Sequence, residues 1–336
     1  MKRKKTVSLI VLNYNGRHHL KEYFTSVFKQ TYIPDEVIMF DNLSTDGSRQ
    51  YVAKYFPKVK IFTEDRYNTG TANGSNVAFS HTTGDYVIFQ SNDLRLDPHC
   101  IEELVKCIKR DKKIGICTSV FVRYEHDKKG HLIVDNAGGL LDKYGFGMQN
   151  YPEKTLDEIP IQGEVFFSYG SSFIIDRKLY KKLSGFDDRL FTLNEDIDFS
   201  WRVRLQGYKI IYTKKSFVYH KGSATLKLRA RGLKRYWAER NSIRTFIKNS
   251  EISHLFSVLP MYLLILFGEI GYFLYRGKFS LFIADLRAVL WNLWYLPETL
   301  FMRYKIQSTK KKNNLNKLFV NRSFKLQLYK YIKYSL

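Results

Sequence analysis

VSLIVLNYNGRHHLKEYFTSVF, residues 7–28, decides the structural class of this chain. Residues 7–12 are a short apolar run closed by a turn, which reads as a strand buried on both faces rather than as a helix. Asn-Tyr-Asn-Gly at 13–16 supplies the turn, and Leu20, Phe24, Val27 and Phe28 then recur at helical spacing. The alternation continues outward from there. Strands are expected over 36–40, 59–62 and 86–90, with helices over 48–56 and 74–81, then a helix over 98–109 and a strand over 115–121. The expected class is α/β, a mostly parallel sheet flanked by helices. Ligands bind beyond the carboxyl ends of strands in such sheets, so Asn13, Asp41 and Asp93 should converge on one crevice. Residues 122–164 are rich in glycine and charge with little periodicity, and they read as a loop region near that crevice.

The chain has 336 residues, enough for one large α/β domain with an appendage and a core that needs no covalent staple. Its three cysteines, Cys100, Cys107 and Cys117, form neither a metal spacing nor a disulfide framework, and packed thiols in a reducing compartment are expected. No zinc signature surrounds the eight histidines. Net charge is +23, concentrated in two places: nine Lys/Arg against Glu239 alone over 221–248, and ten Lys/Arg with no acid over 303–336. Such runs suit an anionic partner, either nucleic acid or lipid head groups. The sequence between them favours lipid. Residues 255–275 are apolar except for Glu269, and 279–302 are apolar but interrupted by Asp285, Arg287 and Glu298, with Trp291, Trp294 and Tyr295 of membrane-interface type. The connecting Arg-Gly-Lys at 276–278 would have to carry two positive charges across a bilayer. In-plane or re-entrant helices on an anionic cytoplasmic membrane surface are therefore expected, the alternatives being a helical pair buried in the protein or in a homodimer interface. A nucleic-acid partner is not expected, because no recognition motif is present and the hairpin would go unexplained. Met-Lys-Arg-Lys-Lys at 1–5 runs straight into the first strand, so no signal peptide is expected.

Four segments carry chemistry. LFTLNEDIDFSWRVRLQGY, residues 190–208, crowds Glu195, Asp196 and Asp198 into four positions at a helix start. Mutual repulsion raises at least one proton affinity there, which suits a general base if the cluster lines a cleft, whereas helix capping uses the same residues. DNLSTDGS at 41–48 sets a carboxylate at a strand end, where it can accept an imide N–H, ahead of an Asp-Gly turn. NTGTANGSN at 68–76 offers glycines and a helix start to a phosphate. Ser91-Asn92-Asp93 ends another strand with a carboxylate suited to Mg²⁺ or Mn²⁺, and His220 is a candidate second ligand.

These segments together resemble the family 2 glycosyltransferases, the inverting sugar-nucleotide enzymes of the GT-A fold, and in particular their rhamnosyltransferase-like branch. The resemblance runs over residues 7–250 and includes GDYVIF at 84–89 and GFDDRLF at 185–191, in family order, while KRYWAERN at 234–241 matches the join to a membrane-associated C-terminus. It implies a catalytic domain over 1–250, with a nucleotide-sugar half to about 120 and an acceptor half beyond, then an apolar hairpin over 251–305 and a basic tail over 306–336. It also implies that Asn13, Asp41, Asn68, Gly70, Asn76 and Asn92 hold a UDP- or dTDP-sugar, and that Asp93 and His220 hold Mg²⁺ or Mn²⁺. Asp196, with Glu195 beside it, matches the acceptor-activating base, and Asp198, Trp201 and Arg202 are expected on the acceptor side. The implied activity moves rhamnose or another hexose, with inversion, onto a hydroxyl of a lipid-linked or surface-polysaccharide glycan, and the apolar hairpin and basic charge make a polyprenyl-diphosphate-linked glycan the expected acceptor. Ser91 departs from the family pattern, which has an acid or asparagine there, so an inactive glycan- or membrane-binding relative is the alternative.

Overall fold

The computed structural model describes residues 5–170, 172–221, 231–311 and 315–321. The expected basic tail therefore lies mostly outside the described residues, as do Lys227 and Arg229 of the earlier basic run.

The first half alternates strand and helix: β1 (Val7–Asn13), α1 (Arg17–Phe28), β2 (Glu36–Asn42), α2 (Ser48–Tyr55), β3 (Lys60–Glu64), α3 (Gly70–Ser80), β4 (Tyr86–Ser91), β5 (Leu94–Leu96) and α4 (Cys100–Arg110). The next region holds β6 (Ile114–His126), β7 (Leu132–Asn136), β8 (Gly139–Asp142), β9 (Gly147–Gln149), β10 (Gln162–Glu164), β11 (Ser172–Asp176), α5 (Arg177–Lys182), α6 (Glu195–Leu205) and β12 (Lys209–His220). In the main sheet the order is β10-β12-β6-β11-β4-β1-β2-β3, with β5 on β12 and β7 on β6. Strands β3, β2, β1 and β4 are mutually parallel, and β11 runs antiparallel between β4 and β6. Alternate residues of β1 feed different layers: Val7, Leu9 and Val11 pack with Leu20 and Phe24 of α1 and Leu104 of α4, while Ile10 packs with Ala72 and Ala78 of α3. Burial on both faces is the physical reason that this strand reads as a continuous apolar run.

Two expectations need correction here. Residues 122–164 are not a loop: β6 extends to His126, β7 pairs with it, and β8 and β9 form a small sheet with β13 (Phe319–Val320). These strands are short and obtain their partners from distant chain, which local periodicity does not record. The cysteines are not all free either, since Cys107 of α4 and Cys117 of β6 form a disulfide, and only Cys100 is a buried thiol. Helix α4 turns back onto β6 through Asp111–Lys113, and this brings positions ten apart in sequence to a Cα separation of 6.2 Å.

Among the described residues four α-helices follow: α7 (Arg231–Asn249), α8 (Ile252–Tyr275), α9 (Phe279–Trp294) and α10 (Leu296–Thr309). The expected second apolar segment is thus two helices broken at Tyr295, where Pro297 falls in the first turn of α10. Helix α7 is sandwiched, buried along most of its length from Trp237 to Asn249. A third apolar core joins Phe166, Phe167 and Trp201 to Ile243 and Phe246 of α7 and to Val258, Tyr262 and Leu266 of α8. The outer faces of α8 and α9 remain apolar and exposed, with Phe256 at 69%, Leu264 at 66% and Phe267 at 58%.

Candidate active site

Strands β1, β2 and β4 end side by side, and their termini build one edge of a cleft of about 870 Å³. Asn92 Nδ2 donates to Asn13 Oδ1 at 2.7 Å, and Asn13 Nδ2 donates in turn to Asp41 Oδ1 at 2.9 Å. The convergence of strand ends therefore exists as a hydrogen-bonded chain. Asn13 and Asn92 line the cleft, whereas Asp41 lies behind Asn13 with no exposed surface, also accepting from the Ser44 N–H.

The Asn-Thr-Gly loop is clamped by Asn42, the residue after Asp41, to which the motif at 41–48 assigns no role of its own. Asn42 Oδ1 accepts from Thr69 N at 2.8 Å, and its Nδ2 donates to Gly70 O at 3.1 Å. Asn68 and Gly70 line the cleft. Gly70 has φ +76°, and a Cβ there would run into the Phe191 carbonyl and ring. Asn76 does not reach the cleft lining. It donates to Phe186 O at 2.9 Å and accepts from the Tyr180 hydroxyl at 2.7 Å, fixing the GFDD segment instead.

At the end of β4, Asp93 Oδ1 accepts from Ser91 Oγ at 2.5 Å and Oδ2 lies 3.6 Å from His220 Nε2. His220 Nδ1 faces Asp135 Oδ2 at 3.3 Å. Burial alone would lower the His220 pKa, but hydrogen bonds and charge from Asp135 and Asp93 outweigh it and push it up to about 9. A carboxylate and an imidazole side by side in a polar cleft fit a hard divalent ion that takes its other ligands from diphosphate and water. Such an ion would displace the imidazole proton. Among the described residues no group of three or more His, Cys, Asp or Glu forms a closed metal cage.

Opposing carboxylates come from the head of α6. Phe191, Leu193 and Asn194 all have positive φ, 58°, 69° and 66°, so the segment entering α6 is strained backbone held from outside. Asn241 of α7 holds it, with Nδ2 donating to the carbonyls of Leu190, Thr192 and Leu193 at 2.7, 2.8 and 2.7 Å. This arrangement presents Glu195 and Asp196 to the cleft. Asp196 Oδ2 accepts from Gly170 N at 3.1 Å and Oδ1 from Ile197 N at 2.8 Å, while Glu195 Oε2 is sealed without a partner. Burial, and then the charge of Asp196, raise the Glu195 pKa well above the usual carboxylate range. Burial raises Asp196 as well, against the pull of its backbone N–H donors.

Asp198, Trp201 and Arg202, expected on the acceptor side, are buried and are not among the residues that line the cleft. Asp198 has no exposed surface and is bound by Arg202 Nη2 at 2.9 Å, Lys248 Nζ at 2.7 Å and Asn249 Nδ2 at 2.8 Å. Trp201 packs edge-on against Phe166 at 5.5 Å in the third core. Lys234, Arg235 and Glu239 of α7 with Glu269 of α8 complete the lining. Arg235 lies 2.7 Å from both Asp285 and Glu269, and 3.4 Å from Glu239.

Residues 8–184 match the family model of glycosyl transferase family 2. One relative is the N-acetylglucosaminyl-diphospho-decaprenol L-rhamnosyltransferase of Mycobacterium tuberculosis, 25% identical over 63% of this chain and 75% of its own length. Another is the O-antigen chain rhamnosyltransferase WbaN of Salmonella anatum, 24% identical over 65% of this chain and 67% of its own. Similar solved folds include GalNAc-T7 with UDP, GalNAc and Mn²⁺ (TM-score 0.56, 17% identity, 74% of this chain and 48% of that one). A second is the mannosyltransferase PcManGT of Pyrobaculum calidifontis with GDP-Man and Mn²⁺ (TM-score 0.53, 16% identity, 87% and 88%). With the family match covering more than half of the 336 residues, on a sheet of the GT-A kind, this chain belongs to glycosyl transferase family 2.

Proposed function

We propose that the protein is an inverting glycosyltransferase that moves a hexose, rhamnose foremost, from a UDP- or dTDP-sugar to a hydroxyl of a polyprenyl-diphosphate-linked glycan. The observation that carries this reading is one cleft with Asp93 and His220 at one place and Asp196 with Glu195 at another. Asn13 and Asp41 mark the base end, and the Asn42-clamped loop with Asn68 and Gly70 receives phosphate and sugar at the start of α3. Asp196 takes the proton of the acceptor hydroxyl as its oxygen bonds to the anomeric carbon and the carbon–oxygen bond to diphosphate breaks on the opposite face. Its raised pKa matches this work better than that of an ordinary surface carboxylate would. Asp93 and His220 are the residues that would hold Mg²⁺ or Mn²⁺, which supplies positive charge to the departing diphosphate. Rhamnosyltransferase relatives support the choice of sugar, and a relative named for a decaprenol-linked substrate supports the acceptor class. The exposed apolar faces of α8 and α9 support a seat on an anionic cytoplasmic membrane surface.

The test is nucleoside diphosphate release from a panel of UDP-, dTDP- and GDP-sugars, with and without each ion, for the parent, Asp196→Asn and Asp93→Ala. One UDP- or dTDP-sugar should give a metal-stimulated signal lost in both variants, and product NMR should show inversion. A product of retained anomeric configuration rules out the single displacement.

A further inference from the structure

Strand β7 places a group in the cleft that the reaction above does not use. Asn136, the last residue of β7, is 1% exposed and lines the cleft, and neither its Oδ1 nor its Nδ2 has a hydrogen-bond partner. Asp135, whose pKa is held down chiefly by His220, also feels the nearby Asn136 amide, but without hydrogen-bond geometry. Buried carboxamides are almost always paired, so two open positions on one side chain call for a ligand that fills them. The same cleft holds the sealed, unpartnered Oε2 of Glu195.

One stretch of chain connects the two. Gly139, three residues beyond Asn136, donates its N–H to Phe167 O at 2.8 Å. Phe167 and Tyr169 have ring centroids 5.8 Å apart, and Gly170 next to Tyr169 donates its N–H to Asp196. Tyr169 and Gly170 both line the cleft. The wall thus holds an unpaired amide donor and acceptor, an unpaired carboxyl oxygen and an aromatic face. Vicinal hydroxyls both donate and accept, and the C–H face of a pyranose packs on a ring.

We propose that Asn136, Tyr169 and the free oxygen of Glu195 form a pyranose-reading subsite, where the Asn136 amide accepts from one sugar hydroxyl and donates to its neighbour. This rests on the glycosyltransferase reading above. The pyranose is that of the donor or that of the acceptor, the chemistry being shared, and the two arms of the test separate them.

Asn136→Leu and Asn136→Asp are compared with the parent using the donor found in the release panel and a short-chain lipid diphosphate carrying N-acetylglucosamine, with UDP and dTDP titrated calorimetrically as sugar-free controls. Asn136→Leu should raise the KM of one sugar substrate about ten-fold (~1.4 kcal/mol), while nucleoside diphosphate Kd stays within about two-fold. A shift in donor KM assigns the donor pyranose, and a shift in acceptor KM assigns the acceptor. Asn136→Asp, which keeps the shape and one acceptor, should fall between. The free Asn136→Leu protein should melt no lower than the parent, because the amide it replaces has no partner to lose. A Tm drop of several degrees, unchanged KM values, or nucleotide Kd rising in step with both KM values overturns the subsite. A parent that binds no nucleotide overturns the enzymatic reading with it, whereas normal turnover with unchanged KM in Asn136→Leu removes the subsite alone.

Discussion

Glu195 and Asp196 occupy adjacent positions in a buried setting that raises both proton affinities, and two predictions follow from that crowding. Asp196→Asn should lower turnover at least about 100-fold, read from initial rates with saturating donor, since it removes the proposed proton acceptor. Stability should move the other way. A carboxyl whose folded pKa is raised destabilises the fold at pH above that pKa, and the penalty vanishes once pH falls below the unfolded value of about 4. Glu195→Gln should therefore raise Tm at pH 8, with the gain closing towards pH 4. A Tm equal to the parent at both pH values would sink the argument. At this scale much of the site was legible: the acidic triplet, Asn13, Asp93 and His220 are all readable from strand ends and motif order. Separating Asp198 from its neighbours was not. Two residues along α6 its side chain points inward, where Arg202 one helical turn on and Lys248 of α7 neutralise it, and the contact with Lys248 is one that sequence spacing does not encode.

At the scale of elements, α6 takes its position from α7. Asn241 makes the three hydrogen bonds that hold the strained 191–194 segment, so Asn241→Leu should release it, lowering kcat at least about ten-fold and stability by about 2–4 kcal/mol in urea titration. An unchanged kcat would show that the strained backbone is not needed for turnover. Lys248, fully buried, joins Asp187 at 2.5 Å and Asp198 at 2.7 Å, and Arg244 links Asp187 to Glu298 of α10. Lys248→Met leaves carboxylates buried without their shared cation and should cost about 3–5 kcal/mol, measured by chemical denaturation. A loss below about 1 kcal/mol would mean that Arg202 and Arg244 suffice. None of these ties appears as a motif. The basic run over 221–248 reads as a surface for anions, yet Arg240, Arg244 and Lys248 are buried in it and spend their charge on α6, Asp187 and backbone carbonyls.

At the scale of the whole molecule, the C-terminal helices face two ways. Inward, α7 and α8 share a core with Phe166, Phe167 and Trp201 and contribute cleft-lining residues, so a chain ended at residue 250 should lose cooperative unfolding and sugar-nucleotide turnover together. A truncated chain with a sharp transition and normal turnover would show that the two parts are independent. Outward, Phe256, Leu264 and Phe267 are exposed on α8, and Leu290, Leu293 and Trp294 on α9. The proposed membrane seat predicts co-flotation with phosphatidylglycerol vesicles, weakened at least about five-fold in Leu264→Asp/Phe267→Asp because charge is costly in the interfacial apolar layer. Equal recovery of parent and variant would remove that seat. Helix α8 is long and apolar enough to cross a membrane, but its stripe of Val258, Tyr262, Leu266, Glu269 and Phe273 is buried against the rest of the protein. What the sequence by itself determined was the α/β class, the strand ends that meet at the cleft and the acidic pair at the head of α6, because strand periodicity and turn chemistry are local. Tertiary structure alone decided which two carboxylates of three face the cleft, which basic residues are internal ion-pair partners, that Cys107 meets Cys117, and that Asn136 stands unpaired in the cleft wall. Each of those depends on how separate elements pack against one another, and the energies of buried charge and unpaired amides are fixed only there.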